Sequence, residues 1–164
     1  MNLSDLINIL DYRRLKPTDG LPDELFYCIS RMTPLVNVDL LIKDDYQRTL
    51  LSWRDDDYSG IGWHLPGGIV RFKEKLETRV IKVSETELGT SVDFDPKPIA
   101  INQFICKERD TRGHFISLLY RCYLPTDFVP KNDEIDVNEP GFLKWHRSPP
   151  DDLLSWHSIY REYI

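Results

Sequence analysis

The sequence predicts an α/β sandwich, a mixed β-sheet flanked by helices. Three observations predict it. β-rich runs with partial alternation occupy residues 35–42, 48–53, 99–106 and 114–124. One amphipathic helical run, residues 75–88, lies between the second and third of them, and a further helical stretch ends the chain. Strands arranged around a central helix must bury its apolar stripe against one sheet face, which is the layered solution. At 164 residues the chain can fill one domain with a substantial core.

In order, residues 1–32 read as an N-terminal helical arm. Helical patterns cover 4–10 and 23–29, with Ser4 and Pro22-Asp23 as their starts. Thr33-Pro34 opens the first strand, so the main domain is 33–164. Asp44-Asp45 suits a turn into the second strand, and 55–60 is a polar loop before Gly67-Gly68. In the helix that follows, Leu76, Val80 and Val83 recur at helical spacing, with Ile81 and Leu88 widening the apolar side. Glu74 and Glu77 near its start complement the helix dipole, and Gly89 supplies a left-handed residue to close it. Pro96 and Pro98 precede the next two strands, which a turn at 109–113 joins. An acidic loop at 132–141, a short strand at 142–146, Pro149-Pro150 and a last helix at 151–160 complete the chain.

Charge and cysteine usage narrow the function classes. A formal net charge of −6 opposes nonspecific binding to nucleic acid, which needs a basic surface. It does not oppose a small diphosphate, which magnesium and a few arginines can neutralise locally. Cys28, Cys106 and Cys122 are an odd set without metal-binding spacing, so buried free thiols in a reducing compartment are expected. The apolar stretch 6–10 is too short to span a membrane and lacks the flanks of a secretory signal. A soluble cytoplasmic protein is the expectation.

The segment from Gly67-Gly68 to Gly89 resembles the Nudix box, the signature G-x5-E-x7-R-E-U-x-E-E-x-G-U in which U is aliphatic. Gly68, Glu74, Glu87 and Gly89 fall on its fixed positions without insertion or deletion. Lys82 takes the arginine position, Val83 and Thr86 replace two glutamates, and Ser84 and Thr90 replace the aliphatics. In the full box, carboxylates at 83, 86 and 87 would share one helix face and hold magnesium against a diphosphate. Only Glu87 remains there, since Glu85 lies roughly 200° around the helix from it. The resemblance therefore implies an α/β/α Nudix sandwich with one magnesium ion, manganese being an alternative.

Residues 31–39, the run Gly62-Trp63-His64-Leu65-Pro66-Gly67-Gly68 and the exit Leu88-Gly89 are similar to the GDP-mannose mannosyl hydrolase branch. That branch also carries neutral residues at the positions of Val83 and Thr86. It displaces the nucleoside diphosphate from the anomeric carbon, whereas most Nudix enzymes direct water at phosphorus. The likeness implies a nucleotide-sugar substrate and a homodimer. It also implies a metal set of Gly67 through its carbonyl, Glu87 and Glu139 of the acidic loop. Asp39, Arg54, Lys82, Glu87 and Glu139 are its implied catalytic residues; Asp39, Arg54 and Arg71 would bind substrate.

Arg71 enters because Ile69 stands where the family has arginine, and a residue two further on shares a strand face. Lys82 keeps the charge of arginine but loses its bidentate fork. The branch's loop histidine falls at Pro140, which takes no proton; Glu134, Asp136 or Glu139 are substitutes, and His64 and His114 are further titratable candidates. Two other functions fit these departures: diphosphate cleavage at phosphorus, and a noncatalytic nucleotide-binding module.

Overall fold

Both faces of the central strand are buried, and this governs the architecture. In the computed structural model, which describes residues 2–12 and 20–164, that strand is β1 (Leu35–Lys43). Val38, Leu40 and Ile42 pack on one face with Val80, Val83 and Leu88 of the helix α3 (Leu76–Leu88). Leu41 joins a second cluster on the opposite face, with Leu51, Trp63, Leu65, Leu119, Leu153 and Tyr160. A strand with period-two side chains buried on both faces is a central strand. Fully burying each such aliphatic side chain contributes about 1.5–3 kcal/mol.

The sheet is mixed. β1 runs parallel to β7 (His114–Tyr123) along its whole length, from Leu35 opposite Phe115 to Lys43 opposite Tyr123. β1 also pairs antiparallel with β2 (Thr49–Asp56) and with β4 (Gly67–Ile69). β2 pairs with β3 (Gly60–His64) and β8 (Leu143–His146), while β5 (Asp93–Phe94) and β6 (Ala100–Ile105) pair with β7. β3, β4 and β5 lie outside the strands expected from the sequence. They are short, and the glycines of β3 and β4 lack the β-branched signature that marks a strand.

The N-terminal helices are α1 (Leu3–Tyr12) and α2 (Asp23–Ser30); Met1 and residues 13–19 of the expected arm lie outside the described residues. Ser4 does not start α1. Asn2 and Asp5 do, each backbone N–H donating to the other's side chain at 2.9 Å, a reciprocal cap that satisfies two free donors. α2 docks on two turns of the domain. The Arg112 N–H donates to Ser30 Oγ, the Arg112 guanidinium lies over the Phe26 and Tyr58 rings, and Tyr27 stacks on Tyr58.

Two further expectations change. The helix expected at 151–160 is a 3-10 turn at Ser155–Tyr160, because Asp152 and Leu154 are engaged by Trp63 instead: the Trp63 N–H donates to the Asp152 carbonyl and the Leu154 N–H to the Trp63 carbonyl. Of the three free thiols only Cys122 is buried; Cys28 is exposed and Cys106 intermediate.

Candidate active site

β4 positions the first part of the site. Its register places Gly67 opposite Asp39, and the ladder bonds fall on either side, at Leu40 N–H to the Pro66 carbonyl and Val70 N–H to the Val36 carbonyl. Gly67 and Asp39 are thus a non-hydrogen-bonded pair, and the Gly67 N–H and carbonyl both point away from β1. The N–H donates to Glu87 Oε1 at 3.2 Å. Glycine is required at both Gly67 and the box position Gly68. A methyl on Gly67 would strike Asp39 Oδ1 and the Val38 carbonyl, and one on Gly68 would meet Val83 Cγ2 at 2.8 Å.

Glu87 reaches this point from the last turn of α3, which Gly89 closes in the left-handed conformation at φ 69°. Burial pushes its carboxyl up to about 7 against the opposing pull of the Gly67 N–H and Arg54, with nearby Asp39 raising it further. A half-buried carboxylate beside an outward-facing carbonyl fits a hard cation that keeps water or substrate oxygens as its remaining ligands. Glu87 and the Gly67 carbonyl are the donors this chain offers. Among the described residues no group of three or more His, Cys, Asp or Glu side chains converges to hold a metal.

Asp39 sits on the opposite side of β4, on the face of β1 that meets the C-terminal 3-10 turn. Its Oδ2 accepts hydrogen bonds from Ser117 Oγ and from Tyr160 Oη at 2.5 Å, while Oδ1 accepts from Asn37 Nδ2 at 2.7 Å. The two hydroxyls are 2.7 Å apart. Burial raises the Asp39 carboxyl despite these donors, and burial with Asp39 alongside raises the Tyr160 phenol. The cluster lines a cavity of about 170 Å³ that is also bounded by Phe104, Trp156 and Arg112.

A second cavity of about 440 Å³ is lined by Thr86, Glu87, Lys131 and Ile135 among others. Arg54 and His64 border both cavities. Arg54 donates from Nη1 to Ser59 Oγ at 3.3 Å, and its Nε lies 3.6 Å from Asp56 Oδ2. The His64 Nδ1 lies 2.7 Å from the Leu65 carbonyl, and the Leu65 N–H donates to His157 Nδ1 at 3.0 Å. Burial and then Arg54 depress His64 to about 3; burial and then His64 hold His157 well below the usual histidine range.

No protein-family model matches the chain. The Low-salt glycan biosynthesis protein Agl8 of Haloferax volcanii is 28% identical over 138 residues, which cover 80% of this chain and 87% of that protein. Among solved structures, the MutT NUDIX hydrolase from Burkholderia pseudomallei superposes with a TM-score of 0.63 at 25% identity, over 80% of this chain and 98% of that one. The chain has the Nudix fold. A UDP-X diphosphatase also superposes, with a TM-score of 0.57 at 19% identity, over 99% of this chain and 68% of that one.

Within the Nudix fold the expected residues divide. Gly67, Glu87, Asp39 and Arg54 converge on the two cavities. Lys82 and Glu74 do not: Lys82 Nζ lies 3.1 Å from Glu74 Oε1 and Arg79 Nη2 lies 2.7 Å from Glu74 Oε2. The Arg71 N–H also donates to Glu74, so this carboxylate ties the loop to the helix beyond complementing a dipole. Although burial opposes it, the Arg71 N–H and the Arg79 and Lys82 side chains hold Glu74 below the usual carboxylate range.

Arg71 lies past the end of β4, so the face rule for a strand does not reach it; its guanidinium packs at Gly20 and lines neither cavity. Glu139 is exposed and its Oε2 accepts the Asp136 N–H at 3.1 Å, away from Glu87. Val83 explains one thinned box position: it is buried in the core against Gly68. Ser117, Tyr160 and His157 were not expected. Their signal is sheet register and a C-terminal turn, neither of which has a local sequence pattern.

Proposed function

We propose that the protein is a magnesium-dependent hydrolase that releases a nucleoside diphosphate from a nucleotide sugar, of the GDP-mannose type, by attack at the anomeric carbon. The pairing of Glu87 with Gly67, at cavities that Arg54 borders, carries this reading. Glu87 and the Gly67 carbonyl would hold the ion, which when bound supplies positive charge to a leaving diphosphate. Arg54 adds a guanidinium where that charge develops.

The smaller cavity falls below the roughly 300–1,000 Å³ of pockets that enclose drug-sized ligands, so a nucleotide sugar would need the larger one, with the smaller left for one end of it. The Asp39–Ser117–Tyr160 cluster presents hydroxyls and a carboxyl suited to a sugar or base edge. The name of the Haloferax relative, a glycan biosynthesis protein, supports a sugar-bearing substrate. The single retained box carboxylate supports carbon attack, since phosphorus attack in this fold usually employs a carboxylate cluster. Glu139 and Arg71 remain in the reading only as residues that substrate would have to draw in.

Residues 1–32 are proposed as an arm, and the protein as a cytoplasmic homodimer without nucleic-acid or membrane partners. Leu3, Leu6, Ile7 and Leu10 form an exposed apolar stripe on α1 that supports the dimer. No described helix is long and apolar enough to cross a membrane. A panel of nucleotide sugars, assayed with magnesium and with a chelator, tests the activity. Magnesium-dependent release of nucleoside diphosphate is expected. Tight nucleotide binding without turnover would instead establish the noncatalytic module that Pro140 favours.

A further inference from the structure

We infer that His64 is the base that takes the proton from the attacking water, through its Nε2. The inference rests on the carbon-attack reading above and supplies the acceptor that Pro140 cannot. Its first support is the tautomer. A carbonyl oxygen only accepts, so the 2.7 Å contact to the Leu65 carbonyl requires the proton on His64 Nδ1. In the neutral ring, Nε2 is then a bare acceptor. It has no hydrogen-bond partner among the described residues, in a residue that is 3% exposed and reached through the cavities it lines.

Place is the second support. His64 borders the cavity that holds Asp39 and the cavity that holds Glu87, so it stands where the two meet. Arg54 borders both cavities as well. After burial, it is the charge that lowers the basicity of His64, and a substrate diphosphate would neutralise that second contribution.

The competing acceptors are engaged or distant. Both Asp39 oxygens already accept hydrogen bonds. His157 accepts the Leu65 N–H at Nδ1, so its proton is on Nε2 and that atom donates. Glu134, Asp136 and Glu139 are exposed and line neither cavity, and His114 lines neither. In the step itself, a water oxygen bonds to the anomeric carbon and its proton passes to His64 Nε2. The bond from that carbon to the diphosphate oxygen breaks, and its electron pair leaves with the nucleoside diphosphate.

Two substitutions separate base from scaffold. His64→Asn keeps an N–H that can donate to the Leu65 carbonyl and deletes the distal acceptor; His64→Ala removes both. With the fold checked by thermal denaturation and nucleotide affinity by calorimetry, both variants should lose about 10²–10⁴-fold in kcat with little change in KM. Sodium azide, a nucleophile that needs no deprotonation, should restore turnover and give a glycosyl azide. A folded His64→Asn variant within about threefold of wild type, or one that azide does not restore, overturns the base assignment while leaving the activity standing. A wild-type enzyme that puts solvent oxygen on phosphorus overturns the carbon-attack reading instead, and this inference with it.

Discussion

The two sides of β4 build their chemistry differently. On one side, Glu87 and Gly67 meet because a helix of fixed length joins a glycine pair to a terminal carboxylate, all within 67–89. On the other, Asp39, Ser117 and Tyr160 meet because parallel register lays β7 beside β1 and the last turn folds back over both. His64 and His157 belong to the same nonlocal construction, linked through the Leu65 backbone. Local spacing sets the first side, and tertiary register sets the second. The buried groups also respond to pH by type: burial raises the carboxyls of Glu87 and Asp39 and lowers the imidazoles of His64 and His157.

Substitutions can break this comparison. The largest effect is expected at Glu87. Glu87→Gln should lower activity and magnesium affinity at least about 100-fold, beyond the 10–100-fold typical of groups that only support a metal ligand. Glu85→Gln, on an exposed side chain whose nearest partner is Ser91 at 3.4 Å, should leave both nearly unchanged. Activity assays and magnesium titration calorimetry check the pair; matching curves for wild type and Glu87→Gln would remove the metal assignment.

Stability against pH sharpens it further. The folded-state pKa of Glu87 is raised from 4.5 to about 7, so its contribution is complete below about pH 4.5 and is lost as pH rises through 7. In chelator, Glu87→Gln should therefore match wild type near pH 4 and exceed it by about 3 kcal/mol at pH 8, at 1.36 kcal/mol per unit. His64 runs the other way. Its folded pKa is depressed from 6.5 to about 3, so stability is complete above about pH 6.5 and falls as pH drops toward 3. His64→Asn should lose less stability than wild type across that acid window. Urea titrations at several pH values read both slopes.

A smaller effect is expected in the buried hydroxyl cluster. Tyr160→Phe removes the donor to Asp39 Oδ2 and the contact to Ser117, and should cost about 1–3 kcal/mol of unfolding free energy. The double variant Tyr160→Phe with Glu87→Gln tests whether the two sides are independent. The two changes in unfolding free energy, a loss from Tyr160→Phe and the pH-dependent gain from Glu87→Gln, are expected to add within about 0.5 kcal/mol.

These distances in sequence decide what could be read before the structure. The central helix, its Gly89 cap, the long strands and the Gly67–Glu87 frame were legible because each has a period or a fixed spacing. β3 and β4 were not, since Gly60, Gly62, Gly67 and Gly68 dilute the strand pattern exactly where the backbone must pass close to Asp152, Asp39 and Val83. Lys82 was drawn toward substrate by its box position, and the buried Glu74 claims it instead. Arg71 lies two residues beyond Ile69, the last paired residue of β4, where strand alternation no longer sets the direction of a side chain. Tyr160 and His157 carry no signal at all in the segment Ser155–Tyr160, whose 3-10 turn is specified by contacts to Trp63 and Leu65.

The central claim is the atom that water attacks, and hydrolysis in oxygen-18 water tests it most directly. Mass spectrometry of the products should find the label on the released sugar and an unlabelled nucleoside diphosphate. Label on phosphate, with sugar phosphate and nucleoside monophosphate as the products, would contradict it.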